Sequence, residues 1–207
     1  MNKDWKEHYQ YFGREKTPPS ATLQKALNLF AQEKLPLKEP LAIDLGCGTG
    51  IDTSALLMNG WSVLAIDQEQ RALQQLANII PPSRKEALTT KCSTFESLTR
   101  LPACSLVNAS FSLPFCRPGQ FDDFWSLIVN CLLPNGRFAG HLFGINDSWS
   151  DNPNMSFHEI HQIKTMFSGF ELEVMKEINK PGKTVSGKTK HWHVFHIIAK
   201  KNALTNN

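Results

Sequence analysis

Two hydrophobic rhythms alternate along the chain. Short apolar runs give way to stretches in which apolar side chains return every three or four positions, which is how a strand feeding an amphipathic helix reads. Pro18-Pro19-Ser20 sets up a helix N-terminus, Leu23, Leu27 and Phe30 follow at helical spacing, and Pro36 and Pro40 end the helix. Leu41–Leu45 is a strand stopped by glycines, and Ile51–Met58 is a helix closed by Asn59-Gly60. The unit repeats. Residues 61–66 form a strand leading to Asp67, and residues 69–80 form a helix with Leu73, Leu76 and Ile80 on one side before Pro81-Pro82 stops it.

Residues 87–92 predict a third strand, whose threonines and lysine suit a sheet edge. A fourth strand is expected over 105–109, a helix over 120–133 ended by Pro134-Asn135-Gly136, and a fifth strand over 137–143. Ser156-Phe157-His158-Glu159 has the S-x-x-E form of a capping box and should open a last helix ending near Phe167. Two final β runs, 170–178 and 191–199, are separated by a loop with two glycines. Repeated strand–helix units imply a parallel sheet covered on both faces, and the last pair implies an antiparallel hairpin. The expected fold is a doubly wound, Rossmann-like α/β sheet of about seven strands. It forms one domain over 1–207, in which an N-terminal arm and helix (1–36) make a lid on a core spanning 41–200.

Composition narrows the class without naming a function. At about 150 residues per domain, 207 residues favour one unit. With 41% hydrophobic and 20% charged residues, the chain is neither disordered nor membrane-like. No apolar run reaches the roughly 18 residues of a membrane span, and the charged start lacks a secretory signal, so a cytoplasmic location is expected. The cysteines at 47, 92, 104, 116 and 131 contain no C-x-x-C pair, which argues against a disulfide framework and a zinc cage. A net charge of +3 falls short of a nucleic-acid footprint and leaves room for a small anionic substrate.

The most informative stretch is Asp44-Leu-Gly-Cys-Gly-Thr-Gly50, directly between a strand and a helix. Gly46, Gly48 and Gly50 permit positive φ and let the backbone approach a ligand closely, beside the positive end of the following helix. A nicotinamide fingerprint of form G-x-G-x-x-G needs glycine where Ile51 stands, and a P-loop needs a G-K-[ST] ending that is absent. Asp67 closes the second strand about 20 residues on, where a doubly wound sheet places the acid that takes ribose hydroxyls. An acid there can also be a plain helix N-cap.

With these residues the sequence resembles the class I S-adenosylmethionine-dependent methyltransferases, whose motifs are acid-x-G-x-G-x-G and an acid ending strand two. The resemblance spans 41–199. It implies S-adenosyl-L-methionine as cofactor, with Asp44, Gly46, Cys47, Gly48 and Gly50 against the methionine part and Asp67, with Gln68 beside it, at the ribose. It also implies Thr94 and Phe95 at the adenine and Asn108 to Phe111 along the channel to the methyl group. Thr94 stands where many members carry Asp or Asn. The aromatic arm (Trp5, Tyr9, Tyr11, Phe12) and Tyr11-Phe-Gly-Arg14 look like the tellurite-resistance and thiopurine-type members, in which such an arm closes over the cofactor and Arg14 would meet the methionine carboxylate. Base-methylating members share [ND]-P-P-[YF] after strand four. Here Asn108-Ala-Ser-Phe111 matches only the ends, which argues against nucleic acid as acceptor.

The sulfonium activates the methyl group, so the protein has to hold a nucleophile in line and away from water. Candidate catalytic groups are His191, His193 and His141, expected to converge on the carboxyl edge of the sheet. Lys180, Lys183, Lys188 and Lys190 precede or flank them with no acid between, which points to an anionic or soft nucleophilic acceptor. His191-Trp-His193 supplies two residues on one strand face but no third metal ligand, so no metal is expected. A nicotinamide-dependent oxidoreductase and a noncatalytic cofactor-binding module remain as alternatives.

Overall fold

The computed structural model describes residues 17–33, 40–184 and 186–203. The arm carrying Trp5, Tyr9 and Arg14 lies outside the described residues, while the helix expected to share the lid with it is described and packs into the core through Leu23 and Ala26.

Helix α1 (Ala21–Ala31) begins at Ser20, whose side-chain oxygen accepts the Leu23 N–H at 3.5 Å. Strand β1 (Leu41–Leu45), helix α2 (Ile51–Met58), strand β2 (Ser62–Asp67), helix α3 (Gln70–Ile79) and strand β3 (Leu88–Cys92) follow. Then come β4 (Cys104–Ala109), α4 (Pro118–Cys131), β5 (Leu132–Gly144), β6 (Phe157–His158), α5 (Ile160–Met166), β7 (Phe170–Lys183) and β8 (Thr189–Lys201). They make one sheet in the order β3-β2-β1-β4-β5-β8-β7, with β6 pairing with β5. The first five strands are parallel, and β8 runs antiparallel between β5 and β7. The doubly wound expectation holds, with eight strands in place of about seven.

Side chains alternate across the sheet, so each strand feeds two cores. Ala42, Val63, Leu106, Ala139 and Ile198 pack under α1, α2 and α3 with Leu23, Leu56 and Leu76. Ile43, Ile66, Val107, Phe138 and Ile197 pack under α4 and α5 with Phe124, Ile128 and Ile163.

Three boundaries differ from the sequence reading. Helix α4 passes into β5 at Leu132, so Pro134-Asn135-Gly136 bends the strand; Asn135 has φ 65°, and the β4–β5 register shifts between Cys104 and Leu106. The capping box belongs to Glu159 and Gln162, three residues beyond Ser156, whose buried hydroxyl donates to the Cys116 carbonyl at 2.8 Å. The hairpin is longer than the apolar runs, because β7 and β8 continue pairing past the core through polar residues, from Asn179↔His193 to Lys183↔Thr189. Lys180 and Lys183 are therefore strand residues.

Arg137 fastens α1 to the sheet. Its buried guanidinium holds Glu173 through two nitrogens at 2.7 and 2.8 Å, reaches Glu33 at 2.7 Å and lies 4.3 Å from the centre of the Phe30 ring. Removing it leaves two carboxylates behind. Arg137→Met should lower the unfolding free energy in urea by about 3 kcal/mol, the low end for breaking a buried pair, since Glu33 keeps Lys200 at 2.8 Å; a loss below about 0.5 kcal/mol would show that the network carries no stability.

Candidate functional site

The site is built at the carboxyl ends of β1, β2 and β4, where ligands of open parallel sheets bind. Asp44 on β1 pairs in register with Asn108 on β4. The Asn108 side-chain amide donates to Asp44 Oδ1 at 2.8 Å and to Asp52 Oδ2 at 3.0 Å. Asp52 enters from the first turn of α2 and also accepts the Ser110 hydroxyl at 2.6 Å and the Ser20 N–H at 2.8 Å. Thr53 donates its hydroxyl to Asp44 Oδ2 at 2.5 Å. Asp44, Asp52, Thr53 and Asn108 are all buried. Burial pushes the Asp44 carboxyl up to about 7, the charge of Asp52 adds to the rise, and the Thr53 and Asn108 donors oppose it.

The glycine turn has φ of 69°, 53° and 88° at Gly46, Gly48 and Gly50. A side chain at Gly46 would run into Ser112, whose hydroxyl donates to the Leu45 carbonyl at 2.6 Å, and one at Gly50 would run into Leu76. The Gly46 and Cys47 N–H groups donate to the Ile66 carbonyl at 2.8 and 3.0 Å, Gly50 to Cys47 at 3.0 Å and Gly48 to Asp67 Oδ2 at 2.8 Å. These four donors are engaged within the protein, so the turn gives a ligand close approach and not a nest for phosphate.

Asp67 is buried, and its Oδ1 accepts the Glu69 N–H at 2.8 Å. The N-cap position of α3 is Glu69, so Asp67 is not the cap. Gln68 is exposed beside it. The Ser93 N–H donates to the Asp67 carbonyl at 3.0 Å and carries the chain to Thr94 and Phe95. Phe95 stacks on Phe124 at 4.8 Å and borders Gly46, while the Thr94 hydroxyl is paired with that of Ser97 at 2.8 Å. Burial, with Asp44 adding to it, raises the Cys47 thiol well above its ordinary range and keeps it protonated. Asp44, Cys47, Asp67, Phe95 and Asn108 thus surround one turn. Arg14 lies outside the described residues.

The histidines do not converge as expected. His141 pairs with His196 across β5 and β8, so the even-numbered residues of β8 share its face, whereas His191 and His193 point to the opposite face. His141 Nδ1 accepts the Phe111 N–H at 3.2 Å, and Nε2 lies 3.1 Å from Thr22 Oγ1 and 3.0 Å from His196 Nδ1. Burial, with His196 adjacent, pulls His141 down to about 3 and leaves it neutral. His193 Nδ1 accepts the Asn146 N–H at 3.0 Å, and Nε2 meets Glu177 at 2.9 Å. His191 reaches Asn179 at 2.6 Å. Among the described residues no three His, Cys, Asp or Glu side chains are grouped to hold a metal ion.

Lys190 is not a rim charge either. It is buried, bonded to Asp147, and its Nζ lies 3.5 Å from the Trp149 ring centre and 3.9 Å from that of Trp192. Lys188 is exposed between the strands. The sequence reading missed Asp52 and Thr53; an acid in the first helical turn after the last glycine was the available signal for Asp52.

Three buried carboxylates around a close-approach turn suit an ammonium or sulfonium with a ribose diol and repel a pyrophosphate. Fold and site together define a Rossmann-like domain with a carboxylate-lined glycine turn at the carboxyl edge of its sheet. Residues 43–140 match the family model of a methyltransferase domain. That match covers a little under half of the chain, and the solved structures of similar fold include S-adenosylmethionine-dependent methyltransferases. No curated protein matches the chain. Among solved structures it is similar to TehB from Haemophilus influenzae, with TM-score 0.72 and 13% identity over 88% of this chain, which spans 62% of TehB. It is also similar to 1,6-didemethyltoxoflavin-N1-methyltransferase from Burkholderia thailandensis, with TM-score 0.65 and 17% identity over 96% of this chain and 84% of that one. A third likeness is to a putative S-adenosylmethionine dependent methyltransferase from Listeria monocytogenes, with TM-score 0.62 and 18% identity over 88% and 99% of the two chains. Among the described residues no helix is long and apolar enough to cross a membrane.

An ordinary carboxyl titrates near 3.8, and Asp44 near 7. Between those values the folded protein keeps a proton that the unfolded chain has lost, so the raised value contributes stability that is complete below the lower value and gone above the upper one. Thermal unfolding of wild type and Asp44→Asn from pH 4 to 8 should show the wild type losing stability relative to the variant up to about pH 7, then no further change; a constant difference would mean that Asp44 is ionised throughout.

Proposed function

We propose that the protein transfers the methyl group of S-adenosylmethionine to a small-molecule acceptor that is a soft nucleophile. The observation that carries this is the gathering of Asp44, Asp52 and Asp67 around a glycine turn whose N–H groups bond to the protein itself. S-adenosylmethionine supplies an electrophilic methyl on a sulfonium. Asp67 would hold the ribose, Asp44 and Asp52 the cationic amino-acid end, and Phe95 the adenine. The nicotinamide reading loses support, since a dinucleotide would bring its pyrophosphate against the same carboxylates. Two solved structures of similar fold are named for action on small molecules, the toxoflavin precursor enzyme and a magnesium protoporphyrin IX methyltransferase from Synechocystis, which favours that acceptor class here.

Titration calorimetry should show S-adenosylmethionine binding and NAD not competing. Asp67→Ala should weaken the cofactor by about 1 to 3 kcal/mol, the range for hydrogen bonds made by a charged group. Unchanged affinity in a folded variant would remove Asp67 from the ribose site, and NAD binding in preference would overturn the reading.

A further inference from the structure

Two buried thiols touch at the edge of the sheet opposite the carboxylate cluster. Cys104 opens β4 and Cys131 closes α4, 27 residues on, and their sulfurs lie 3.8 Å apart. Both are free and buried. Helix α4 runs into β5 without a linker, and Leu132, the residue after Cys131, pairs in register with Cys104. Neighbouring strands run about 4.8 Å apart and a disulfide spans Cα atoms about 4.4 to 6.8 Å apart, so the two backbones stand at bonding separation. The register breaks beside the pair, between Cys104 and Leu106, where residues 133–136 bulge out of the ladder. That slack lets the sulfurs close the remaining gap.

The two sulfurs are not equivalent. Cys131 Sγ donates to the Ile128 carbonyl at 3.2 Å, which leaves the Cys104 S–H to point at the Cys131 sulfur. The Lys201 ammonium donates to the Val129 and Leu132 carbonyls, each at 2.7 Å, on the two sides of Cys131. The Cys104 contact holds the Cys131 thiol below its ordinary range against the opposing effect of burial, with Lys201 adding to the fall, while the same contact and burial push Cys104 up. Cys131 is therefore the nucleophile of the pair. Burial pushes Cys116 up to about 12, which keeps it a thiol.

We propose that Cys104 and Cys131 are a redox modification site, a dithiol that a small hydroperoxide converts to a disulfide fastening the end of α4 to the start of β4. In the first step the Cys131 thiolate attacks one oxygen of hydrogen peroxide. The sulfur–oxygen bond forms, the oxygen–oxygen bond breaks, and the departing hydroxide takes up the proton that Cys131 released, giving water and a sulfenic acid. In the second step the Cys104 sulfur attacks the Cys131 sulfur. The sulfur–sulfur bond forms as the sulfur–oxygen bond breaks, and the leaving hydroxide takes the Cys104 proton as a second water. The two thiols give up two electrons and one peroxide accepts them. Burial selects the oxidant, since a residue only 5% exposed admits hydrogen peroxide and excludes bulky disulfides. The bond would lie at the amino end of β4, about 13 Å along the strand from Asn108, and the proposal does not depend on the methyl-transfer reading.

The test uses the full chain as Cys92→Ser, which removes the exposed thiol and leaves four cysteines. The protein is treated with hydrogen peroxide, denatured, alkylated and mapped by peptide mass spectrometry. Two of the four thiols should disappear with a loss of about 2 Da, and the peptides of Cys104 and Cys131 should be linked. The melting temperature should rise by about 5 °C and return with dithiothreitol, as expected for a cross-link closing a loop of this length. At the same dose Cys131 should gain oxygen in Cys104→Ala, whereas Cys104 should stay a free thiol in Cys131→Ala. Four free thiols after peroxide, a link through Cys47 or Cys116, or a lowered melting temperature overturns the proposal. Equal oxidation of Cys104 in Cys131→Ala overturns the assignment of Cys131 as the nucleophile.

Discussion

One side-chain amide organises the site. Asn108 is buried between two carboxylates and donates to both, to Asp44 from β1 and to Asp52 from α2. Two buried acids so close repel each other, and they stay together only where donors compensate the lost water. Asn108, Thr53, Ser110 and the Ser20 N–H supply them. The register Asp44↔Asn108 makes the arrangement possible, since a slip of one residue would send Asn108 to the opposite face. The Ser20 contact extends the arrangement to α1, which is anchored again by Thr22 on His141 and by Glu33 on Arg137. The start of α1 is therefore tied to the same carboxylate cluster.

The β7–β8 hairpin depends on a different device. The β7–β8 hairpin projects past the core, and a projecting ribbon would wander without a tie. Lys190 supplies one. It is bonded to Asp147 and enclosed by Phe143, Trp149 and Trp192, so that burial pulls its ammonium down while Asp147 holds it up. Asp147 also accepts the His193 N–H at 3.1 Å. A charge that reads as part of a basic rim in the sequence is a clasp in the fold.

Much of the fold could be read from the chain because apolar periodicity and glycine or proline stops coincide in β1, α2, β2 and α3. The hairpin was underread because its outer residues pair through backbone and polar side chains, which leave no apolar pattern in Asn179 to Lys183. The gathering of Asp44, the glycines and Asp67 at one edge of the sheet was legible in their spacing between a strand and a helix. The histidines misled for a geometric reason: odd and even positions of β8 face opposite ways, and only its pairing with β5 shows which of them meet His141. Asp52 and Phe111 gain their meaning from partners 56 and 30 residues away, Asn108 and His141, and sequence spacing gives no sign of either pairing.

The claim that Asn108 maintains a carboxylate seat for a cationic cofactor is tested most directly by titrating S-adenosylmethionine into Asn108→Leu, which keeps the volume and removes the shared donor. Binding at pH 7.5 should weaken at least tenfold and recover in part as the pH is raised, because the two acids, without the amide, hold a proton more tightly. A folded Asn108→Leu protein with wild-type affinity and wild-type pH dependence would contradict the account.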